Sequence, residues 1–258
     1  KELGITTEEY YKVWTEEQRR DFTIEYSDYA KKLSRLPKDK MLANLYGDWD
    51  AFGGRFFKEF TAKEMIIDPI PIPKGWELGA SMDPGYSAPF SFGLLAKDYS
   101  GVIYRIGTYY EKSTIPRHAE AIKEWLTSEE SPIFPYLQGR QPDWIVSGLD
   151  AFQKLDRHAI VSNEDTVEDY FNEQGLYLEK AVTARVSGWW KMKALMPDKL
   201  KIFDNGLNTP LIEQMRAVES DKRLVEDIKG RGNDPEVEDH CLDDFRYDIQ
   251  RIMTPMED

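Results

Sequence analysis

The chain has 258 residues, of which 41% are hydrophobic and 13% aromatic, and it carries a formal net charge of -13 at pH 7. This composition excludes an intrinsically disordered chain, and no apolar run approaches the roughly 20 residues that a membrane span needs. The acidic balance disfavours a general nucleic-acid coat, because phosphate binding draws on Lys and Arg.

The N-terminal quarter is predicted to be helical and to end in a connector. The chain begins at Lys1 without an initiator Met or a signal peptide, so we expect a fragment or a processed form. Residues 5–36 lack Pro and Gly and repeat apolar residues at helical spacing, which predicts one or two amphipathic helices. A further short helix is expected to about Leu45. Paired glycines and three prolines between 47 and 73 then indicate an extended connector, and we predict a domain boundary near residue 64.

The remainder, 65–258, is predicted to be an α/β domain with a mixed sheet. Apolar runs predict strands over 77–83, 89–97 and 101–110, the last two joined by a turn at 98–101. Further strands are predicted over 143–150, 177–181 and 201–203, and helices over 115–127, 164–175, 187–197 and 210–219. A hairpin-rich start followed by alternating strands and helices is typical of this class.

Three separated acids are the candidate functional residues. Asp83 and Asp150 end predicted strands, and Asp243 lies on a C-terminal segment with helical spacing. If the fold brings them together, their carboxylates form a hard oxygen-ligand cluster for one or two Mg²⁺ or Mn²⁺ ions. An Asp at a strand end also caps helices, so on the residues alone a structural role for Asp83 and Asp150 remains open.

Several other chemistries find little support. The sequence contains no Gly-x-x-x-x-Gly-Lys-Ser/Thr phosphate loop, so this chain is not expected to hydrolyse ATP by itself. It also lacks a Gly-x-Gly-x-x-Gly dinucleotide motif and a nucleophile-elbow serine. The single cysteine, Cys241, excludes an internal disulfide and a cysteine-based zinc site, and it is typical of a reducing cytoplasm.

Four stretches resemble the large terminase subunit of tailed bacteriophages or prophages. Three of them resemble its nuclease domain: MDPG at 82–85, LD at 149–150 and, above all, DHCLDDFRY at 239–247. The closing motif of that family typically runs Asp-His-small-Leu-Asp-Ala-Leu-Arg-Tyr. The fourth, LYGDWDAFGGRFF at 45–57, resembles the passage from the ATPase domain of the family to its nuclease. Residues 1 to about 64 thus resemble the tail of an ATPase domain, and 65–258 a nuclease domain.

The resemblance implies an RNase H-like fold, with a mixed central sheet flanked by helices and preceded by an N-terminal helical segment. It implies Asp83 on the first strand of the nuclease domain, Asp150 at the end of the fourth and Asp243 on the C-terminal helix. These acids match the catalytic residues of the family, which hold two divalent cations, Mg²⁺ or Mn²⁺.

The closing motif also supplies three supporting residues. His240 matches a histidine that lies beside the metals in some members, and a buried helix-capping role is the alternative. Asp239 precedes it, and Asp244 stands where the family usually has Ala. Because neighbouring helical residues point about 100° apart, only one of Asp243 and Asp244 is expected to be a close ligand, and we expect Asp243.

Basic residues near these motifs are candidate DNA contacts. They are Lys229 and Arg231 in a KGRG turn, Arg185 and Lys191 around two tryptophans, and Lys154 just after Asp150. Each has an ordinary alternative as part of a solvated turn or helix face. Trp189 and Trp190 are more often core residues than base-stacking platforms.

The resemblance implies an endonuclease that cleaves concatemeric viral double-stranded DNA during genome packaging in the host cell cytoplasm. The full-length context implies an ATPase domain, a small terminase subunit and a portal protein, and we expect the isolated chain to be a monomer that contacts no membrane. One alternative is another RNase H-like nuclease, such as a Holliday-junction resolvase; the connector at 47–57 disfavours it. The other is a non-catalytic interaction module of a packaging motor, which the three intact acids disfavour.

Overall fold

A single mixed sheet of seven strands organises the part of the chain that the computed structural model describes, residues 55–85, 88–154, 165–230 and 237–254. All of these residues belong to one compact unit, Arg55–Asp258. The helices predicted over 5–36 and up to Leu45 lie outside the described residues. The strands are β1 (Ile66–Ile67), β2 (Glu77–Asp83), β3 (Phe90–Lys97), β4 (Ile103–Glu111), β5 (Trp144–Ser147), β6 (Glu179–Lys180) and β7 (Leu200–Phe203).

The strands lie in the order β1-β7-β4-β3-β2-β5-β6. Strands β2, β3 and β4 form an antiparallel meander, whereas β5 and β6 add in parallel on the β2 side and β7 and β1 in parallel on the β4 side. The turn predicted at 98–101 is present: the Asp98 carboxylate accepts hydrogen bonds from the backbone N–H groups of Ser100 and Val102, both at 2.8 Å, and Gly101 has a φ of +80°. Glycine suits this left-handed position because it has no Cβ.

Helices cover both faces of the sheet. They are α1 (Ala62–Met65), α2 (Ile115–Thr127), α3 (Phe134–Leu137), α4 (Val167–Glu173), α5 (Arg185–Leu195), α6 (Thr209–Ala217) and α7 (His240–Ile252), with a 3-10 helix at Leu149–Phe152. Apolar side chains of α5, α6 and α7 form one core cluster with the sheet, and those of α2 and α4 form a second on the other face. The α/β class with a mixed sheet is therefore as predicted.

A buried ion network fixes α7 against the sheet. Arg105 of β4 is fully buried, and its guanidinium donates to Asp244 at 2.7 Å and to Asp248 at 2.9 Å. These two acids are one helical turn apart, so a single arginine binds the inner side of α7. Gly93 of β3 makes the room, because a Cβ there would overlap the Arg105 guanidinium.

The structure differs from the sequence expectations mainly at element ends. The strand predicted over 143–150 stops at Ser147, and Asp150 lies on the 3-10 helix that follows instead of on the strand. The strand predicted over 177–181 is reduced to Glu179–Lys180. Because the two-residue β1 comes first, Asp83 lies on the second strand instead of the first, and Asp150 follows the fifth instead of the fourth.

No helix among the described residues is both long enough and apolar enough to cross a membrane.

Candidate functional site

Three elements converge at the carboxyl ends of strands β2 and β5, and they carry Asp83, Asp150 and Asp243. Asp83 is the last residue of β2, and Asp150 follows β5, the parallel neighbour of β2. Asp243 lies in the first turn of α7, which packs against β2. The charges of Asp243 and Asp150 both raise the pKa of Asp83. The structure therefore brings the three predicted acids into electrostatic contact.

Asp83 is paired with His240. The Nδ1 atom of His240 lies 2.5 Å from Oδ2 of Asp83, and each side chain is about one-seventh exposed, 15% and 14% respectively. Burial raises the pKa of Asp83 to about 7, against the opposing effect of the histidine hydrogen bond. Burial opposes the charged imidazole as well, but the hydrogen bond and charge of Asp83 outweigh it, and the pKa of His240 is raised.

The second ring nitrogen of His240 is buried and makes no hydrogen bond to the described residues. In the neutral ring with Nδ1–H donating to a carboxylate, Nε2 carries the lone pair, which is the arrangement found in metal-binding histidines. A buried acceptor without a donor costs free energy unless a further group satisfies it. The Asp83–His240 pair is thus oriented to receive such a group at Nε2.

Asp243 is held by two arginines. Arg185, the first residue of α5, donates through Nη1 to both carboxylate oxygens of Asp243 at 2.8 and 3.0 Å. Arg246, one turn further along α7, donates to Oδ1 at 2.8 and 3.1 Å and is only 1% exposed. The negative charge of Asp243 is therefore balanced by protein cations on two sides.

The backbone at Gly148 lies unusually close to the Asp150 side chain. A Cβ at Gly148 would lie 2.7 Å from Oδ1 of Asp150 and 3.1 Å from the Tyr247 hydroxyl, so only glycine leaves room for the 3-10 helix to fold back here. Burial raises the pKa of Asp150, and the charge of Asp243 adds to the shift. Burial also raises the pKa of Tyr247 above its ordinary value.

The neighbouring acids of the closing motif have different surroundings. Asp244 is fully buried and accepts hydrogen bonds from Arg105 and from the Ser91 hydroxyl. Burial raises the pKa of Asp244 to about 6, although the Arg105 charge works against this. Asp239 occupies the N-cap position of α7 without a side-chain capping hydrogen bond, and its Oδ2 lies 3.9 Å from Nη2 of Arg185. The sequence did not predict the role of Arg105 as the partner of Asp244. Its only signal was the presence of a charged residue inside a predicted strand.

The candidate DNA contacts are dispersed. Arg185 is engaged with Asp243 and Asp227, Lys191 and Lys229 are half-buried, and Lys154 is exposed after the 3-10 helix. Arg231 lies outside the described residues. Of the two tryptophans, Trp189 is fully buried in the core, whereas Trp190 is 60% exposed. Trp189 is thus a core residue.

Within the described ranges, no group of three or more His, Cys, Asp or Glu side chains stands in an arrangement that would hold a metal ion. In the structure Arg185 and Arg246 bind Asp243, while His240 binds Asp83. The donor set nevertheless fits a hard divalent cation in its chemistry. Burial and the neighbouring acids raise the pKa of Asp83 and of Asp150, and the His240 imidazole beside them has a buried nitrogen without a hydrogen-bond partner among the described residues.

The mixed sheet between two helical layers is an RNase H-like α/β fold, and it is the fold of phage large-terminase nuclease domains. The chain is similar to the nuclease domain of the P22 large terminase, with a TM-score of 0.57 and 18% identity over 78% of this chain and 93% of that one. It is also similar to the g2p nuclease domain of bacteriophage SPP1 with bound Mn, with a TM-score of 0.50 and 16% identity over 73% and 96%.

A third similar structure is the large terminase from a thermophilic bacteriophage, with a TM-score of 0.54 and 16% identity. The alignment covers 78% of this chain and 46% of that protein, so this chain spans about half of its length. No protein-family model and no curated protein matches the chain. At these identities, the likeness establishes the fold.

Proposed function

We propose that this chain is a divalent-metal-dependent DNA endonuclease, the nuclease part of a phage or prophage large terminase. The proposal rests on one observation: Asp83, Asp150 and Asp243 converge at the carboxyl ends of two neighbouring strands of an RNase H-like sheet. Burial raises the pKa of Asp83 and of Asp150, and the charge of Asp243 adds to both shifts, which supports a place where a cation would relieve the repulsion. The Mn-bound SPP1 nuclease domain supports a divalent ion in this fold.

In this proposal the three carboxylates hold two Mg²⁺ or Mn²⁺ ions. When bound, such ions activate a water for in-line attack on a phosphodiester and stabilise the leaving 3′ oxygen. His240 fixes the orientation of Asp83 through its 2.5 Å contact. The backbone at Gly148 lies close to the Asp150 carboxylate and to the Tyr247 hydroxyl, and it limits where Asp150 can move.

The packaging context is part of the same proposal. The large terminase of the thermophilic phage has been solved in complex with ATP-gamma-S, and this chain covers 45% of that structure while lacking a phosphate loop. We therefore assign ATP hydrolysis to the remainder of a complete terminase, with residues 1 to about 64 as the end of its ATPase domain. Concatemeric double-stranded DNA in the host cytoplasm is the substrate, and a small subunit and a portal protein are the assembly partners of the complete protein. By itself the chain is a monomer.

Plasmid nicking tests the site. With Mg²⁺ or Mn²⁺, the 258-residue chain is expected to convert supercoiled plasmid to nicked and linear forms, and Asp150→Asn to lower the rate at least ~100-fold, because a carboxylate ligand is lost. Asp198→Asn is the matched control. Asp198 is exposed and precedes β7, so it lies at the opposite end of the strands from the three acids. Equal cutting by Asp150→Asn and wild type would refute the site assignment. A preference for four-way junctions over linear duplex would favour the resolvase instead.

The adjacent pair Asp243 and Asp244 provides a sharper comparison. Asp243→Asn is expected to abolish nicking because it removes a proposed ligand. Asp244→Asn is expected to lower the free energy of unfolding by about 1–3 kcal/mol, because Arg105 loses a buried charged partner, while the folded fraction keeps cutting. Urea denaturation and nicking rates normalised to folded protein measure both effects. The opposite pattern would make Asp244 the ligand.

A further inference from the structure

Arg185 stands where the proposed metal site and the core of the nuclease domain meet. Its Nη1 donates to both oxygens of Asp243, its Nε lies 3.2 Å from both oxygens of Asp227, and its Nη2 lies 3.9 Å from Asp239. One guanidinium is therefore shared among three carboxylates. A side chain in this position can leave one acid and remain paired with another.

The two arginines on Asp243 are not equivalent. Arg246 is buried and donates a hydrogen bond to Gln250 at 3.1 Å. Its guanidinium also lies over the rings of Trp189 and Tyr247, so the surrounding side chains hold it in place. Arg185 is 34% exposed at its side chain. It also contacts Oδ2 of Asp243, the oxygen that Arg246 does not bind. Oδ2 is thus the oxygen that becomes available when Arg185 withdraws.

A second partner is already in place for the withdrawn arginine. Asp227 is fixed by hydrogen bonds from the Trp189 indole at 2.7 Å and from the Ile228 backbone N–H at 2.8 Å, so it does not need Arg185 to hold its position. Gly230 lies close by, and a Cβ there would be 3.2 Å from Nη2 of Arg185 and 2.5 Å from Oδ2 of Asp239. Arg185 is therefore closely surrounded by Asp227, Gly230 and Asp239.

We propose that Arg185 is an exchangeable counter-ion of Asp243: it occupies the cation position at Oδ2 until a divalent ion enters, and it then remains bound to Asp227. This inference rests on the proposed function, because it concerns the same acids. Arg185 is in this view a positioning residue that sets how tightly the site binds metal and keeps the acids together before metal arrives.

Metal affinity, rather than cutting, tests this proposal. Mn²⁺ binding to the full 258-residue chain is titrated by electron paramagnetic resonance for wild type, Arg185→Gln and Arg185→Lys. Arg185→Gln is expected to bind Mn²⁺ about 10-fold more tightly, because the metal no longer displaces an ion pair. Arg185→Lys keeps the charge but loses the planar fork, and it is expected to bind more tightly than wild type and less tightly than Gln.

Arg251→Gln is the matched control, since Arg251 pairs with Glu179 in the last turn of α7, at the far end of the helix from Asp243. It is expected to leave Mn²⁺ affinity unchanged. Equal affinity of Arg185→Gln and wild type overturns the exchange. So does an affinity of Arg185→Lys equal to that of Arg185→Gln, because a retained positive charge would then not compete with the metal. Failure of wild type and all variants to bind Mn²⁺ instead overturns the proposed metal site, and thermal melting of each variant reports its folding.

Discussion

Asp83, Asp150 and Asp244 hold protons more tightly in the folded chain than in the unfolded one. Burial raises the pKa of Asp83 to about 7 and of Asp244 to about 6, and it raises that of Asp150, while the pKa of His240 is raised by its contact with Asp83. Each shift makes the folded state bind more protons between the unfolded and the folded pKa. The stability that these groups contribute therefore falls as pH rises through this window, from about 4 to about 7.

The first prediction concerns this pH dependence. With divalent ions removed by EDTA, the free energy of unfolding is expected to be higher at about pH 5.5 than at about pH 8. Asp83→Asn is expected to flatten the dependence and to gain on the order of 1 kcal/mol at the higher pH, because a buried charge is removed. Urea denaturation at the two pH values measures both quantities. Asp198→Asn is expected to leave the slope unchanged, and stability that rises with pH would contradict the explanation.

At this scale the sequence supplied the identity of the acids but not their partners. The closing motif indicated Asp243 as the ligand, and its neighbour Asp244 remained ambiguous because it departs from the usual Ala. The structure places Asp244 on Arg105, a residue 139 positions away in the chain. Such a pairing has no local signal, because neither propensity nor spacing relates a strand residue to a helix so distant in sequence.

At the scale of elements, the contact between α5 and α7 positions both arginines of Asp243. The two helices approach at Gly188, which is buried; a Cβ there would lie 2.5 Å from Cγ of Arg246 and 2.9 Å from the Gln250 side chain. Glycine within a helix costs about 1 kcal/mol relative to Ala, so this close approach offsets an unfavourable propensity. The distance between α5 and α7 therefore depends on a single missing methyl group.

The second prediction follows from this approach. Gly188→Ala is expected to lower the free energy of unfolding by about 1–3 kcal/mol, since overpacking outweighs the better helix propensity of Ala. It should also reduce nicking by displacing Arg246 from Asp243. Ser187→Ala, at an exposed neighbouring position, is the control and should change stability by less than about 0.5 kcal/mol. Gain of stability in Gly188→Ala would show that the helices separate without cost.

Most elements of the nuclease domain could be predicted, because their signals are local. The strand at 77–83 and the helix at 115–127 have the predicted bounds, since each is a run of one periodicity closed by turn or capping residues. The strand predicted over 143–150 was too long. Its apolar run continues to Leu149, but β6 pairs with β5 only as far as Ser147, and the chain then turns at Gly148.

At the scale of the whole molecule, the predicted boundary near residue 64 stays a prediction, and the described residues just before it have a clear role. Phe56, Phe57 and Phe60 are at most 2% exposed and belong to the core cluster of α5 and α7. Phe56 and Phe57 meet Trp189 edge-on, with ring centroids 6.1 and 5.9 Å apart. This segment is therefore part of the packing that supports the site.

The third prediction tests that role. Phe57→Ala is expected to lower the free energy of unfolding by about 3–5 kcal/mol, because a fully buried ring is replaced by a cavity beneath Trp189. Lys58→Ala, at the exposed adjacent position, should have little effect. Chemical denaturation followed by tryptophan fluorescence gives both values. A small effect of Phe57→Ala would mean that the segment only rests on the domain.

The sequence by itself determined the α/β class and most of the strands and helices, since these depend on local periodicity. It also predicted the three acids of the site from recognisable residue patterns, and that assignment stays a prediction. Only the tertiary structure decided how the charges pair: Arg105 with Asp244, and Arg185 with Asp243 across 58 residues of chain. Charge pairing depends on distances between elements, and those distances are set by packing of the two cores, which no local pattern encodes.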